Sequence, residues 1–449
     1  MGENEGHRIS CLWGRGMIKV LYICPFAHYS GHHPHVATVE PERLAKSGLD
    51  VTLLTFEGII NDADAKVKHI QVLPQNRLKA LHNVFKKLRY NTLPRWLMMF
   101  IETTVTLIKA SWLMRKGEYD VLHLRDGEPF IFLSHLVSLP YRRQKWAISL
   151  TAAIVFSPKL KLKDFIQRPF VCLYAIALDI WVNNRLWWLI YKLSMRRNKF
   201  MFMPQNEVAT QRYKEYMGGI FKNNVVCVEW GIDCNNDLPS KQESREHLDI
   251  PQDAFALLSF GAPHSGKDTE TIFKAVQRCQ DTFLIHGGTH TFSLGSNPVV
   301  LKEKYSLSNR AKIFNYYIPE DEKPYFFSAA DVLILSYTKA FASTSSMIWE
   351  AAKYRLPVIS SNANTLGKDV RRYKLGLLFE AEDAMSLVGA INRYKDLSDD
   401  ELTEIKASGL KFITAFSDAK WARKCTAVYR GLMSGSNKKV LGKSNTYEF

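Results

Sequence analysis

Between Ala329 and Ile359 the chain reads AADVLILSYTKAFASTSSMIWEAAKYRLPVI, an order of residue types that few folds accommodate. DVLILS is a short run rich in Val, Leu and Ile, the composition of a strand covered on both faces. A loop of small residues, Ala342 to Ser346, opens into a helix near Met347, and Pro357 starts a second apolar run. Strand, loop, helix, strand is a βαβ unit with parallel strands. Loop N–H groups and the first turn of a helix suit a phosphate or diphosphate. Glu350, about one turn inside that helix, puts a carboxylate where ribose hydroxyls can donate to it. Spacing alone leaves two readings open, an ordinary βαβ unit with serine caps or a nucleotide site built on Ser345, Ser346 and Glu350.

The same alternation recurs along the chain. Strands are expected at residues 17–24, 50–56, 119–124, 146–151, 200–203 and 224–230. A polar stretch, Cys234 to Pro251, reads as a linker, after which strands resume at 254–260, 282–286, 311–314, 331–335, 357–360 and 376–379. A helix over Val36–Ser47, stopped by Gly48, and a final helix from Ser417 complete the outline. The fold expected is α/β, two doubly wound parallel-sheet domains facing across a cleft: an N-terminal domain over 17–235 and a C-terminal domain over 236–416. A last helix over 417–433 follows, with a disordered leader (1–16) and tail (434–449). Met17 immediately precedes the first strand and is a candidate start.

SFGAPHSGKDTETIFKAV, Ser259 to Val276, is the second informative segment. A strand ends at Gly261, where a missing side chain allows close backbone approach. Lys267 precedes a helix, and its ammonium can neutralise a diphosphate. His264, when protonated, can do the same from the intervening loop. Gly287, after the FLIH strand, is placed to pass near a nucleotide base.

Taken together these motifs resemble the nucleotide-sugar signature of retaining GT-B glycosyltransferases, the family 4-like group called glycosyl transferases group 1. Asp331, Tyr337, Ser345, Ser346, Glu350, Ala351, Pro357, Val358 and Ile359 occupy matching places. Lys267 matches the lysine of the family's FGxxRxxKG segment, with His264 where the arginine would stand and Asp268 replacing the following glycine. The resemblance implies that Lys267 and Glu350 carry the catalytic and ribose-anchoring roles, and that Tyr317, in the YYIP loop, lies at the base. It implies a nucleotide diphosphate sugar as donor, a lipid-linked or polysaccharide acceptor, retention of configuration, no cofactor and no metal. The sequence departs from the family at Ala342, where the first of two acidic residues would fall, and at Thr151 to Ala153, where a histidine is common. A sugar-nucleotide epimerase of the same fold, or a non-catalytic glycan- or nucleotide-binding partner of another transferase, are the alternatives.

On the acceptor side, Gly31, His32 and His33 in the loop after the first strand, and Arg125 and Asp126 after the VLHL strand, are the candidate contacts. Adjacent histidines on a turn point apart, which disfavours a metal cluster there. The seven cysteines form no CxxC pair, so neither a zinc site nor a disulfide framework is indicated. The net charge is +16, and thirteen of those charges fall before residue 236. They are interleaved with large apolar residues in Arg77 to Arg95, followed by WLMMF, and in Phe165 to Lys199. The apolar runs are read as shorter than the ~20 residues of a membrane span. They suit contact with an anionic membrane surface on its cytoplasmic side. No nucleic-acid module accompanies the charge.

Overall fold

The computed structural model describes residues 17–27, 33–57, 67–73, 93–125, 131–150, 185–216, 222–232, 238–261, 266–289, 297–339, 341 and 345–434. The described chain divides into two compact units, one running to Glu229 and including Trp421 onward, the other Trp230–Lys420.

In the first unit the elements are β1 (Lys19–Cys24), α1 (His33–Lys46), β2 (Asp50–Thr55), β3 (Lys68–Gln71), α2 (Leu93–Arg115), β4 (Val121–Leu124), α3 (Ile131–Ser138), β5 (Lys145–Leu150), α4 (Arg185–Arg197), β6 (Lys199–Pro204) and α5 (Glu207–Tyr216). The strands form one parallel sheet in the order β3-β2-β1-β4-β5-β6. All but β3 are apolar runs buried on both faces, which is why the sequence shows them. β3 (KHIQ) is partly exposed and is absent from the sequence expectation. An edge strand carries neighbours on one side only and needs no continuous apolar run. The run 224–230 is not a strand. It makes one bridge, Val225 to Phe202, and its Val226 and Val228 amides donate to the Phe202 and Pro204 carbonyls. Gly48 follows α1 with φ +87°, the left-handed stop its sequence position implies.

The second unit contains α6 (Lys241–His247), β7 (Phe255–Phe260), α7 (Thr269–Arg278), β8 (Thr282–Gly287), α8 (Pro298–Lys304), β9 (Ala311–Phe314), α9 (Lys323–Ala329), β10 (Val332–Leu335), α10 (Met347–Lys353), β11 (Val358–Ser361), α11 (Asn364–Arg372), β12 (Gly376–Phe379), α12 (Ala384–Lys395) and α13 (Asp399–Ala415). Its parallel sheet runs β12-β11-β10-β7-β8-β9. Part of the expected linker belongs to this fold. Ser240 caps α6 through the Glu243 amide, and Arg245, 1% exposed, donates to the Ala329 carbonyl and to Asp331. Asp331 also receives the Ala256 amide and Lys241. It therefore stands at the amino end of β10, fastening α6 to the sheet. The Trp230–Ile232 turn likewise begins this unit, with the Ile232 amide bonded to the Phe416 carbonyl.

The last helix, α14 (Asp418–Ser434), starts at the end of the second unit and packs in the core of the first. Trp421, Ala422, Cys425, Val428, Tyr429 and Leu432 recur at helical spacing and join Val20, Tyr22, Met201 and Met203 in one cluster. Each large side chain buried there contributes roughly 1.5–3 kcal/mol. The Tyr429 hydroxyl meets His123 Nδ1 at 2.6 Å, and His123 Nε2 meets the Ser149 hydroxyl at 2.7 Å.

Within α2, Leu97–Arg115 is long and apolar enough to cross a membrane by length and composition, which corrects the expectation that every apolar run is too short. One face packs into the first core through Leu107, Ala110 and Leu113. The other leaves Leu97, Ile101, Val105, Ile108 and Trp112 exposed, with Lys109 and Lys116 over the Trp112 ring at 4.5 and 3.8 Å.

Candidate active site

In a doubly wound sheet, ligands bind beyond the carboxyl ends of the strands where the strand order reverses. In the second unit that place lies between neighbouring β7 and β10. The loops that leave these two strands are laced together. The Thr338 amide donates to the Gly266 carbonyl at 2.9 Å, and the Asp268 amide to the Ser336 carbonyl at 3.0 Å. These bonds make Lys267 and Tyr337 an antiparallel pair, whose side chains project from the same face of the ladder.

Lys267 is only partly exposed. Its Nζ donates to the Phe260 carbonyl at 2.7 Å, and no carboxylate among the described residues neutralises it. Burial lowers its pKa to about 8, because an ammonium removed from water without a counter-ion is costly. Gly261 makes room for it. The residue has φ +88°, and a Cβ there would stand 3.0 Å from Lys267 Nζ. Its amide donates to the Gly287 carbonyl. Gly287 itself is demanded by packing. A Cβ there would meet Phe326 at 3.0 Å and Phe260 at 3.2 Å, so its side-chain position faces aromatic core.

Across the pair, the Tyr337 hydroxyl meets the Ser345 hydroxyl at 2.6 Å, and burial raises the Tyr337 pKa to about 12. Ser345 is buried and caps the Met347 amide at 3.3 Å. Ser346 is exposed and its side chain makes no capping bond. Glu350 follows in the first turn of α10. Its Oε1 lies 3.7 Å from Lys323 Nζ, while its Oε2 is buried with no hydrogen-bond partner. Tyr317, in the loop after β9, is 57% exposed. An ammonium lacking its anion on one loop and a carboxylate oxygen lacking its donor on α10 are thus connected through the Lys267–Tyr337 pair and the Tyr337–Ser345 hydrogen bond. That is a surface able to take a diphosphate at one end and hydroxyls at the other.

Residues 240–409 match the family model of glycosyl transferases group 1. The match lies inside the second unit, contains Gly261, Lys267, Tyr337, Ser345 and Glu350, and supports nucleotide-sugar glycosyl transfer. No curated protein matches the chain. Among solved structures, a glycosyltransferase from Rickettsia africae is 16% identical, with a TM-score of 0.67 over 94% of this chain and 100% of that one. Sucrose-phosphate synthase from Thermosynechococcus elongatus is 19% identical, with a TM-score of 0.64 over 93% and 100%. The Anabaena protein HepE in complex with UDP and glucose is 13% identical, with a TM-score of 0.64 over 92% and 100%. At these identities the likeness is one of fold, the GT-B arrangement of two Rossmann-like units.

Of the residues expected at an acceptor, Gly31, His32 and Asp126 lie outside the described residues, as does His264 on the donor side. His33 begins α1, and its side chain is outside the description too. Arg125 is corrected. It is 1% exposed, with Nε 3.1 Å from Glu40 Oε2 on α1, and Glu40 also accepts from the Tyr22 hydroxyl. It is a buried strand-end ion pair, not a surface contact. Lys323 was not singled out by sequence. In EDEKP it looks like one more surface charge, and only the folded chain carries it to Glu350.

Proposed function

We propose that this chain is a retaining, metal-independent glycosyltransferase moving a sugar from a nucleotide diphosphate donor to a lipid-linked or polysaccharide acceptor. The observation that carries the reading is the uncompensated Lys267 ammonium, clasped to Tyr337 and Ser345 at the switch point of the second sheet. Departure of a nucleoside diphosphate needs positive charge where negative charge develops; Lys267 supplies that charge and the Ser346 hydroxyl a hydrogen bond. Glu350 Oε2 accepts from the ribose, the exposed Tyr317 borders the base, and His264 adds a donor from its loop. Retention follows from front-face substitution, with the leaving diphosphate and the incoming hydroxyl on one side of the sugar. The Gly31–His33 loop and Asp126 provide the acceptor side.

We place the enzyme on the cytoplasmic face of a membrane. The exposed stripe of α2, edged by Lys109, Arg115 and Lys116, supports contact with an anionic bilayer. The opposite face of α2 is committed to the protein core, which favours lying on the surface over spanning it.

The test is a panel of UDP-, ADP- and GDP-sugars, read first as thermal stabilisation of the full chain and then as transfer to a membrane extract. UDP is the first probe because the similar HepE structure contains it. Stabilisation and transfer by one donor, both lost in Lys267→Ala, are expected. Stabilisation without turnover would make the chain a binding partner, and new monosaccharide formed without acceptor would make it an epimerase.

A further inference from the structure

We infer that Lys323 is a positioning residue that sets the spacing between the base-side loop and the ribose anchor, and so governs recognition of the nucleoside sugar. The inference rests on the nucleotide-donor reading above. Lys323 is the first residue of α9, and its side chain is 13% exposed. Its Nζ lies 2.5 Å from Glu320 Oε1 and 3.7 Å from Glu350 Oε1. The two carboxylates come from different elements. Glu320 ends the Tyr316–Glu320 loop that carries the exposed Tyr317, and Glu350 belongs to α10. One cation therefore ties the loop after β9 to the helix after β10, over a gap that no backbone hydrogen bond among the described residues closes.

The two distances differ in kind. Glu320 is hydrogen-bonded to the ammonium, whereas Glu350 at 3.7 Å is held by charge alone. Glu350 is thereby oriented through Oε1 while Oε2 stays unspent and buried. A buried acceptor without a donor is an expense that a folded protein rarely retains, and a ribose hydroxyl relieves it. Without the ammonium, the largely buried Glu350 carboxylate would face Glu320 with no cation between them, and the two would repel each other. Glu350 would swing away or take up a proton, and its value as an acceptor would go. Burial by itself would lower the Lys323 pKa, yet Glu350 and then Glu320 outweigh it and the ammonium is held above its ordinary value. It stays charged throughout the neutral range.

The experiment compares binding of UDP, 2′,3′-dideoxy-UDP and inorganic pyrophosphate to the full-length wild type, Lys323→Met, Lys323→Gln, Glu350→Gln and the Lys323→Met/Glu350→Gln double variant by titration calorimetry. Wild type should favour UDP over the dideoxy compound by ~10-fold or more, the worth of hydrogen bonds to a charged acceptor. In both Lys323 variants the preference should shrink to within ~3-fold while pyrophosphate affinity holds, and Lys323→Met should add nothing further in the Glu350→Gln background. Glu320→Gln, which leaves the ammonium in place, should keep the preference. A Lys323→Gln protein that keeps the full ribose preference overturns the inference, as does an equal loss of UDP and pyrophosphate binding. A wild type that binds pyrophosphate and no nucleotide overturns it together with the donor reading, a pattern distinct from the other two.

Discussion

Replacing Lys267 by Met should separate binding from stability. The ammonium has one hydrogen bond, to the Phe260 carbonyl, and no acidic partner among the described residues. A diphosphate would supply the missing charge, and a hydrogen bond between charged groups contributes about 1.5–3 kcal/mol. Since 1.4 kcal/mol is tenfold in Kd, Lys267→Met should weaken UDP by ~10- to 100-fold. The same group sets a pH profile. With its pKa lowered to about 8, the ammonium is mostly charged at pH 7 and only about one-tenth charged at pH 9. The diphosphate is fully ionised over that range. Affinity should therefore fall by ~10-fold from pH 7 to pH 9 in the wild type. It should stay flat in Lys267→Met and in Lys267→Arg, whose guanidinium does not titrate there. The stability of the unliganded protein runs the other way. Between about 8 and the ordinary lysine value the unfolded chain binds more protons than the folded one, so stability rises with pH across that window. Lys267→Met should abolish the rise, and at neutral pH it should melt no lower than the wild type, because it removes a buried, unpaired charge. Calorimetry at pH 7, 8 and 9 with melting curves at the same pH measures both. UDP affinity in Lys267→Met within twofold of wild type, or a wild-type profile flat to pH 9, would refute the reasoning.

Three further outcomes are expected. Gly261→Ala should reduce UDP affinity by ~10-fold, since a Cβ at φ +88° is strained and stands 3.0 Å from Lys267 Nζ; calorimetry against wild type reads it. Arg245→Leu should destabilise the second unit by roughly 2–4 kcal/mol in urea unfolding, because it removes the buried guanidinium that pairs with Asp331 and leaves the Ala329 carbonyl without its donor. Ile101→Glu with Ile108→Glu should abolish sedimentation with anionic vesicles at low salt while leaving UDP binding unchanged, and equal sedimentation of variant and wild type would remove the membrane proposal.

The residues that carried most information in the sequence were those whose role is local. Apolar runs such as VLYIC and VLIL are buried on both faces wherever they fall, so their strands were legible, and parallel order followed from the helices between them. Gly48, Gly261 and the Ser345–Ser346 loop were legible for the same reason, because a positive φ or a helix start is a property of a few adjacent residues. Arg245 and Arg125 misled because polarity signals solvent only when no distant partner exists. Asp331 lies 86 residues from Arg245, and Glu40 lies on α1, far from Arg125 in the sequence. Gly287 shows the same limit, because its neighbours, Phe260 on β7 and Phe326 on α9, decide what the missing side chain makes room for.

From the order of its residues alone, the chain's two parallel sheets and the loops that end their central strands could be read, and Lys267 and Glu350 could be singled out. Side-chain period and backbone preference act over a few residues and need no tertiary context. Only the folded structure decided that Lys267 pairs with Tyr337, that Tyr337 fastens Ser345, and that Lys323 stands between Glu320 and Glu350. Those relations depend on which strands become neighbours, and the free energy that selects the neighbours comes from burying whole faces of sheet and helix, a quantity that no short stretch of sequence contains.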